Sequence, residues 1–505
     1  MLTSKPFTRA LPRLAIALLA LSLGACGGPG TAGRQRTPGG ALWVPAGSSA
    51  VAAEGLLQLR EAGVQELFLE SGRFAGTPEA PRVERVAWPD LPTGTTISVV
   101  LRGAAPPPGT DFGLAAQALV AEVEALRRDA DGRRWLTVGL HLELTSSAEP
   151  EADAALGEFL EAVRDRLDPA QFLSLGLEAA DIARDSLLEA AEPVDFVVAW
   201  LYGQRLESLD EAQAWDPDRV LADLDRLEKA QLDHLLGLRT VPRFEVVGSD
   251  GRARDTSSRG SLRAFVDRAE LVRQADDVFS GAGRVVYTFR ARRPAEAAGL
   301  SARAGEDFRV VRTTPGVVQD LLNRVSARNP RGYLGPVIDR LAREGESLAL
   351  SLDDVVTAFG NGPVAPKLTP RVVVKSRRSD TWVLEVVLEN EGRRDTDLAA
   401  TDWNFLQIRV AGAYIGRVVP GSFSRYRLWL KEQEVRAGIG AWREPDEVRL
   451  YTPLVEGGDM LRAEIEVRTR SSAPTLTLGG SFVLPEGRIL ELTPWSGSLQ
   501  QVPPR

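Results

Sequence analysis

Glu143 and His141 stand two residues apart in the run Trp135 to Thr145, WLTVGLHLELT, and this spacing is the chain's clearest chemical signal. Leu136, Val138, Leu140, Leu142 and Leu144 make one parity wholly apolar. The other carries Thr137, Gly139, His141, Glu143 and Thr145. A carboxylate can exchange a proton or accept hydrogen bonds from hydroxyls, and an imidazole beside it can act as its partner or as a general base. Glu70, Glu178 and Asp339 stand at the ends of other apolar runs, with Arg102, Arg239, Trp200 and Tyr202 at comparable places. Carboxylates, arginines and aromatic faces converging on one mouth suit a carbohydrate or another polar polymer. As catalytic candidates, Glu143, Glu70, Glu178 and Asp339 provide carboxylates for a two-carboxylate mechanism and His141 a base. As ligand-binding candidates the set is Trp200, Tyr202, Arg239 and Glu143. The bland reading of His141 is a buried ring paired with Glu143.

The alternation around Glu143 requires a strand, since Leu at every second position scatters round a helix instead of forming a stripe. Strand-like runs recur at Ala41 to Val44, Gln65 to Glu70, Thr96 to Arg102, Phe172 to Glu178, Asp195 to Tyr202, Leu235 to Pro242 and Tyr333 to Leu341. Amphipathic runs separate most of them: about 49 to 61, 113 to 130, 152 to 167, 216 to 231 and 315 to 327. The Pro- and Gly-rich stretch 71 to 95 lacks a helical pattern. Eight strands with intervening helices predict an α/β fold, a (β/α)8 TIM-like barrel over 41–362 with an insertion at about 243–314. In the insertion, Arg284 to Arg292 and Asp307 to Arg312 read as a hairpin. An open doubly wound sheet is the weaker alternative, because no Gly-rich phosphate loop follows an early strand. In a barrel the reacting groups gather at the carboxyl ends of the strands, which is where the candidates lie.

Beyond the linker that starts at Asn361, short strand candidates separated by turn residues predict a C-terminal all-β domain over 371–505, an Ig-like sandwich. Trp382, Trp403, Trp429, Trp442 and Trp495 fall within it. Some could form a sugar platform, but core packing is the more economical expectation.

Residues 1–25 read as a signal peptide: Lys5, Arg9 and Arg13 precede an apolar run, Leu14 to Leu23, too short to span a bilayer. Cys26, the only cysteine of 505 residues, follows Leu23-Gly24-Ala25, which resembles a bacterial lipobox. Cys26 is expected to be lipidated, with a Gly- and Pro-rich tether over 26–40. The partner so implied is a lipid bilayer, and the location the cell envelope. Gly27 in place of Asp favours the outer membrane by resemblance to lipoproteins of two-membrane bacteria. A formal net charge of −8 argues against nucleic acid. Two histidines and one cysteine exclude a His/Cys zinc site. No cofactor is implied, although a carboxylate-only calcium site stays open.

Val138 to Thr145 resembles the fourth-strand motif of family-18 chitinase-like barrels, in which alternating Asp residues lead to a catalytic Glu. The resemblance sets His141 and Glu143 at the aspartates and Thr145 at the acid. Trp200-Leu201-Tyr202-Gly203 is similar to that family's Met-x-Tyr-Asp, with Gly203 at the Asp. Leu236-Gly237-Leu238 resembles the start of its seventh strand. The whole layout also resembles a bacterial family of uncharacterised glycosidase-like lipoproteins, which implies no particular activity.

The departures set the functional expectation. Thr145 cannot protonate a leaving group, and Glu143 lies one inward step deeper, about 6–7 Å back along the strand. The leading reading is an envelope lipoprotein whose barrel binds a glycan or an envelope partner without turnover. An active glycoside hydrolase using relocated carboxylates is the second reading. An assembly protein of an envelope machine is the third.

Overall fold

The computed structural model describes residues 39–502 except 49–50, 78–79, 146, 148, 204–215, 267, 275–277, 281–282, 344–345, 347, 361–364, 399–401, 436–443, 472–473 and 486. The leader, Cys26, the tether as far as residue 38, and Trp442 lie outside the described residues.

Eight parallel strands close into a barrel: β1 (Gly40–Val44), β2 (Val64–Thr77), β3 (Thr96–Ala104), β4 (Leu136–Thr145), β5 (Phe172–Glu178), β6 (Phe196–Tyr202), β7 (His234–Leu238) and β8 (Tyr333–Ile338). They follow one another round the barrel in chain order, and β1 pairs with both β8 and β2 to complete the ring. The runner-up open sheet is thereby excluded.

The period-two alternation of the strands produces two apolar layers. Outward positions such as Leu140, Leu142, Leu175 and Val197 pack beneath the helices in the largest core cluster. Inward positions Trp43, Phe68, Val100, Val198, Trp200 and Val337 fill the barrel itself. The helix Phe112–Gly132 shows how the outer layer is covered. Ala115, Ala116, Leu119, Val123, Leu126 and Ala130 fall on one stripe, and the Asp111 side chain caps the start by accepting from the Leu114 N–H.

Two connections depart from the βα rhythm. After β2 the chain forms a hairpin, with β2 pairing antiparallel to Ala80–Arg85. No helix takes that place, in keeping with the Pro- and Gly-rich composition. After β6, residues 204–215 lie outside the described residues, and the helix Pro217–Lys229 follows.

The insertion is larger than a hairpin. Gly283–Ala291 does pair antiparallel with Asp307–Val311, but both belong to a six-stranded sheet that also holds Arg243–Val247. The run expected as one strand, Leu235 to Pro242, therefore ends early: β7 stops at Leu238 and the chain turns into the insertion.

From Leu368 onward every pairing among the described residues is antiparallel. A four-stranded sheet and a six-stranded sheet share one core that includes Leu384, Val386, Ile408, Leu450, Ile465 and Leu478. Trp382 is part of this core, with Arg377 over its ring. Trp429 is covered by Arg449 at 4.1 Å, while Trp403 and Trp495 are 53% and 45% exposed.

This β-rich part is tied to the insertion by buried charge. The Tyr287 hydroxyl donates to Asp397 Oδ1 at 2.7 Å, Arg284 pairs with Asp397 Oδ2 at 2.8 Å, and Arg312 lies 3.3 Å from Asp395.

Candidate functional site

A connected polar group sits inside the barrel, with Glu143 at its centre. Its Oε1 lies 3.0 Å from His141 Nε2 and accepts the indole N–H of Trp200 at 2.7 Å. His141 is fully buried, and its Nδ1 lies 2.9 Å from Ser174 Oγ on β5. Burial alone pushes the Glu143 carboxyl up. The hydrogen bond and charge of His141, the Trp200 N–H and the Arg102 guanidinium together bring it below its ordinary value. Glu143 is therefore an anion that only accepts, so His141 Nε2 carries the proton of their hydrogen bond.

Two inward glycines make room for this group. A Cβ at Gly176 would lie 2.2 Å from Glu143 Oε1, and a Cβ at Gly237 would lie 2.5 Å from Trp200 Cε3. Trp43 and Phe68 close the floor, with ring centroids 5.5 and 5.1 Å from that of His141.

Above this layer Arg239 lies over the Trp200 ring at 5.2 Å and forks onto Glu178 with both terminal nitrogens. A guanidinium and a carboxylate in this geometry satisfy each other bidentately. On the opposite side Arg102 sits 5.1 Å over Trp43 and 3.8 Å from Glu70, whose other oxygen accepts the Ala46 N–H at 3.0 Å. Asp339 is built differently. Its Oδ1 accepts from the Thr240 N–H, the Thr240 hydroxyl and the Arg340 N–H at 2.9 to 3.0 Å. Burial nevertheless pushes its carboxyl up, against those Thr240 bonds and the charges of Arg340 and Arg239.

Of the residues singled out from sequence, Glu143, His141, Trp200, Arg239 and Glu178 thus form one chain of contacts, Glu70 and Arg102 a second group, and Asp339 a third. Trp200 points inward but is only 4% exposed, its ring beneath Arg239, so it does not present an open stacking face. Tyr202 corrects the expected parity. The pairing with β7 shifts between Trp200, opposite Gly237, and Tyr202, opposite Leu238. This bulge turns Tyr202 to the helix side, where it is fully buried with the outer core. Thr145 is exposed at the strand end, and its hydroxyl donates to the Gly103 carbonyl at 3.3 Å.

Sequence reasoning missed Ser174, Gly176, Trp43 and Phe68. The inward parity of the apolar strands carried the signal, since Gly176 falls on the same face as Glu178 and Trp43 on the same face as Ala41. Among the described residues, no group of three or more His, Cys, Asp or Glu side chains is placed to hold a metal ion.

No family model matches the chain, and no curated protein does. Solved structures that resemble it include a chitinase from Chromobacterium violaceum, at 13% identity over 64% of this chain and 98% of that one, with a TM-score of 0.38. A class V chitinase from Nicotiana tobaccum is 11% identical over 64% and 99%, with a TM-score of 0.40. A chitinase-like agglutinin from Robinia pseudoacacia is 10% identical over 63% and 99%, with a TM-score of 0.36. These solved neighbours are chitinase-like barrels.

Proposed function

We propose that the chain is an exported envelope lipoprotein, anchored through Cys26, whose barrel binds a carbohydrate or an envelope partner at its mouth without turning it over. The observation that carries the reading is the state of Glu143: an anion whose Oε1 accepts two N–H groups deep in the barrel. A general acid must hold a proton at the moment of bond cleavage, and a carboxyl held below its ordinary range does not. The groups left to meet a ligand are the half-exposed Glu178, Arg239 and Arg102 of the rim. Screening the full chain against a panel of neutral and acidic glycans tests this. Binding that weakens with Arg239→Ala supports the reading, and a panel without any bound glycan removes the carbohydrate half of it.

A second reading, a glycoside hydrolase, is favoured by one observation. Asp339 is pushed up while Glu143 is held down, and pairs of carboxyls driven apart in this way can divide acid and base roles. Three donors on one oxygen of Asp339 weigh against it.

A further inference from the structure

Two cavities of about 510 and 610 Å³ lie side by side at the carboxyl end of the barrel, between β8 and the closing helix Leu352–Phe359. They share the walls Ala342, Arg343, Ser351 and Arg393, so they form one continuous groove. The first is bounded by Trp43 and the helix Ala53–Glu61, the second by Ser261 and Ala264 of the insertion. Arg393 comes from the C-terminal part of the chain. Barrel, insertion and β-rich region therefore each contribute a wall.

The charges in the groove are unequally matched. Arg340 pairs with Glu346 at 2.8 Å, and Glu346 also accepts from the Arg343 backbone N–H and the Ser258 hydroxyl. Asp354 caps the closing helix and pairs with Arg394. Both carboxylates are thus already occupied. The guanidiniums of Arg343 and Arg393 are exposed and have no ion pair or side-chain hydrogen bond among the described residues. Among the described lining residues the other carboxylate is Glu54, which borders the first cavity and not the second.

A second observation is independent of charge. Trp43 is 2% exposed and lines the first cavity, and its indole N–H is buried without an acceptor among the described residues. A buried donor left in this state costs free energy that a ligand oxygen would recover.

We propose that this groove binds a carboxylated glycan, a chain of uronic-acid sugars, with Arg343 and Arg393 clamping its carboxylates and the Trp43 indole N–H donating to a sugar oxygen. Guanidinium forks match carboxylates bidentately, and each cavity has the size of a small-ligand site, so the pair suits successive sugars of a chain. The groove shares Trp43 with the Glu143 group, while its charged walls, Arg343 and Arg393, belong to neither that group nor the rim.

The test is calorimetric titration of the full chain with an oligogalacturonate, alongside chitohexaose, inorganic phosphate and phosphatidylglycerol vesicles. The oligogalacturonate is expected to bind, more weakly at high salt, and the double variant Arg343→Ala/Arg393→Ala to lose at least about tenfold in affinity. Arg331→Ala, far from the groove, should leave binding unchanged. Ala342→Trp, which fills the groove and alters no charge, should weaken binding as well and guards against misfolding of the double variant. Absence of oligogalacturonate binding, or unchanged binding in both groove variants, overturns the proposal. Equal or tighter binding of phosphate or of vesicles, lost in the same variants, overturns it in favour of a phosphate or a lipid headgroup.

Discussion

The indole N–H of Trp200 on β6 reaches across β5 to donate to Glu143 Oε1 on β4 at 2.7 Å, over the space left by Gly176. Replacing Trp200 with Phe keeps an aromatic ring but leaves an interior carboxylate with one donor fewer. The expected cost is about 1–3 kcal/mol, read as a lower denaturation midpoint with an unchanged slope. An unaltered midpoint would mean that the bond contributes nothing net.

Gly203 carries a second steric constraint. Its φ is +78°, and a Cβ there would lie 2.1 Å from the Arg239 carbonyl oxygen. Gly203→Asp is therefore expected to destabilise the barrel by more than about 1 kcal/mol, whereas Thr145→Glu at the exposed strand end should fall within about 0.5 kcal/mol of wild type. Thermal unfolding of the two variants side by side checks this. A tolerated Gly203→Asp would refute it.

The pH dependence of stability is expected to contain two opposed contributions. Burial lifts the Asp395 carboxyl to about 6, against the Arg312 charge and the Gly457 N–H, from an ordinary value of 3.8. A carboxyl raised on folding gives stability at low pH that is lost as it ionises, about 3 kcal/mol between pH 4 and pH 6. The stability of wild type relative to Asp395→Asn should fall across that window. Glu143 is depressed on folding, so its contribution is present above the ordinary carboxylate range and lost as pH falls through its lower folded value. Wild type should lose its advantage over Glu143→Gln only there. Parallel curves for wild type and either variant would contradict the corresponding assignment.

Anchoring is a proposal of the sequence alone. Cys26→Ser is expected to move the protein out of the membrane fraction, measured by fractionation and by loss of the lipid mass increment. A variant that stays lipidated would refute it.

The strands were legible because the physics that forms them is local. Alternation in Leu136–Thr145 fixes both the strand and the inward face of His141 and Glu143, and the short apolar runs at β5 to β8 read in the same way. Tyr202 was misplaced because a one-residue bulge inverts parity without any composition cue. The insertion was underestimated because its exposed Ala253–Ser257 strand has no apolar face to mark it. The closure of Trp200 under Arg239 depends on pairing between β5, β6 and the residue after β7, a long-range relation that no run of sequence displays.

The central claim is that Glu143 is an interior anion of a barrel that does not hydrolyse its ligand. Product formation from chitooligosaccharides by purified wild type and by Glu143→Gln tests this most directly. The account predicts no enzymatic turnover from either protein, with Glu143→Gln changing stability alone. Ordinary turnover by wild type, about 1–10³ per second, abolished in a Glu143→Gln variant that remains folded, would contradict it.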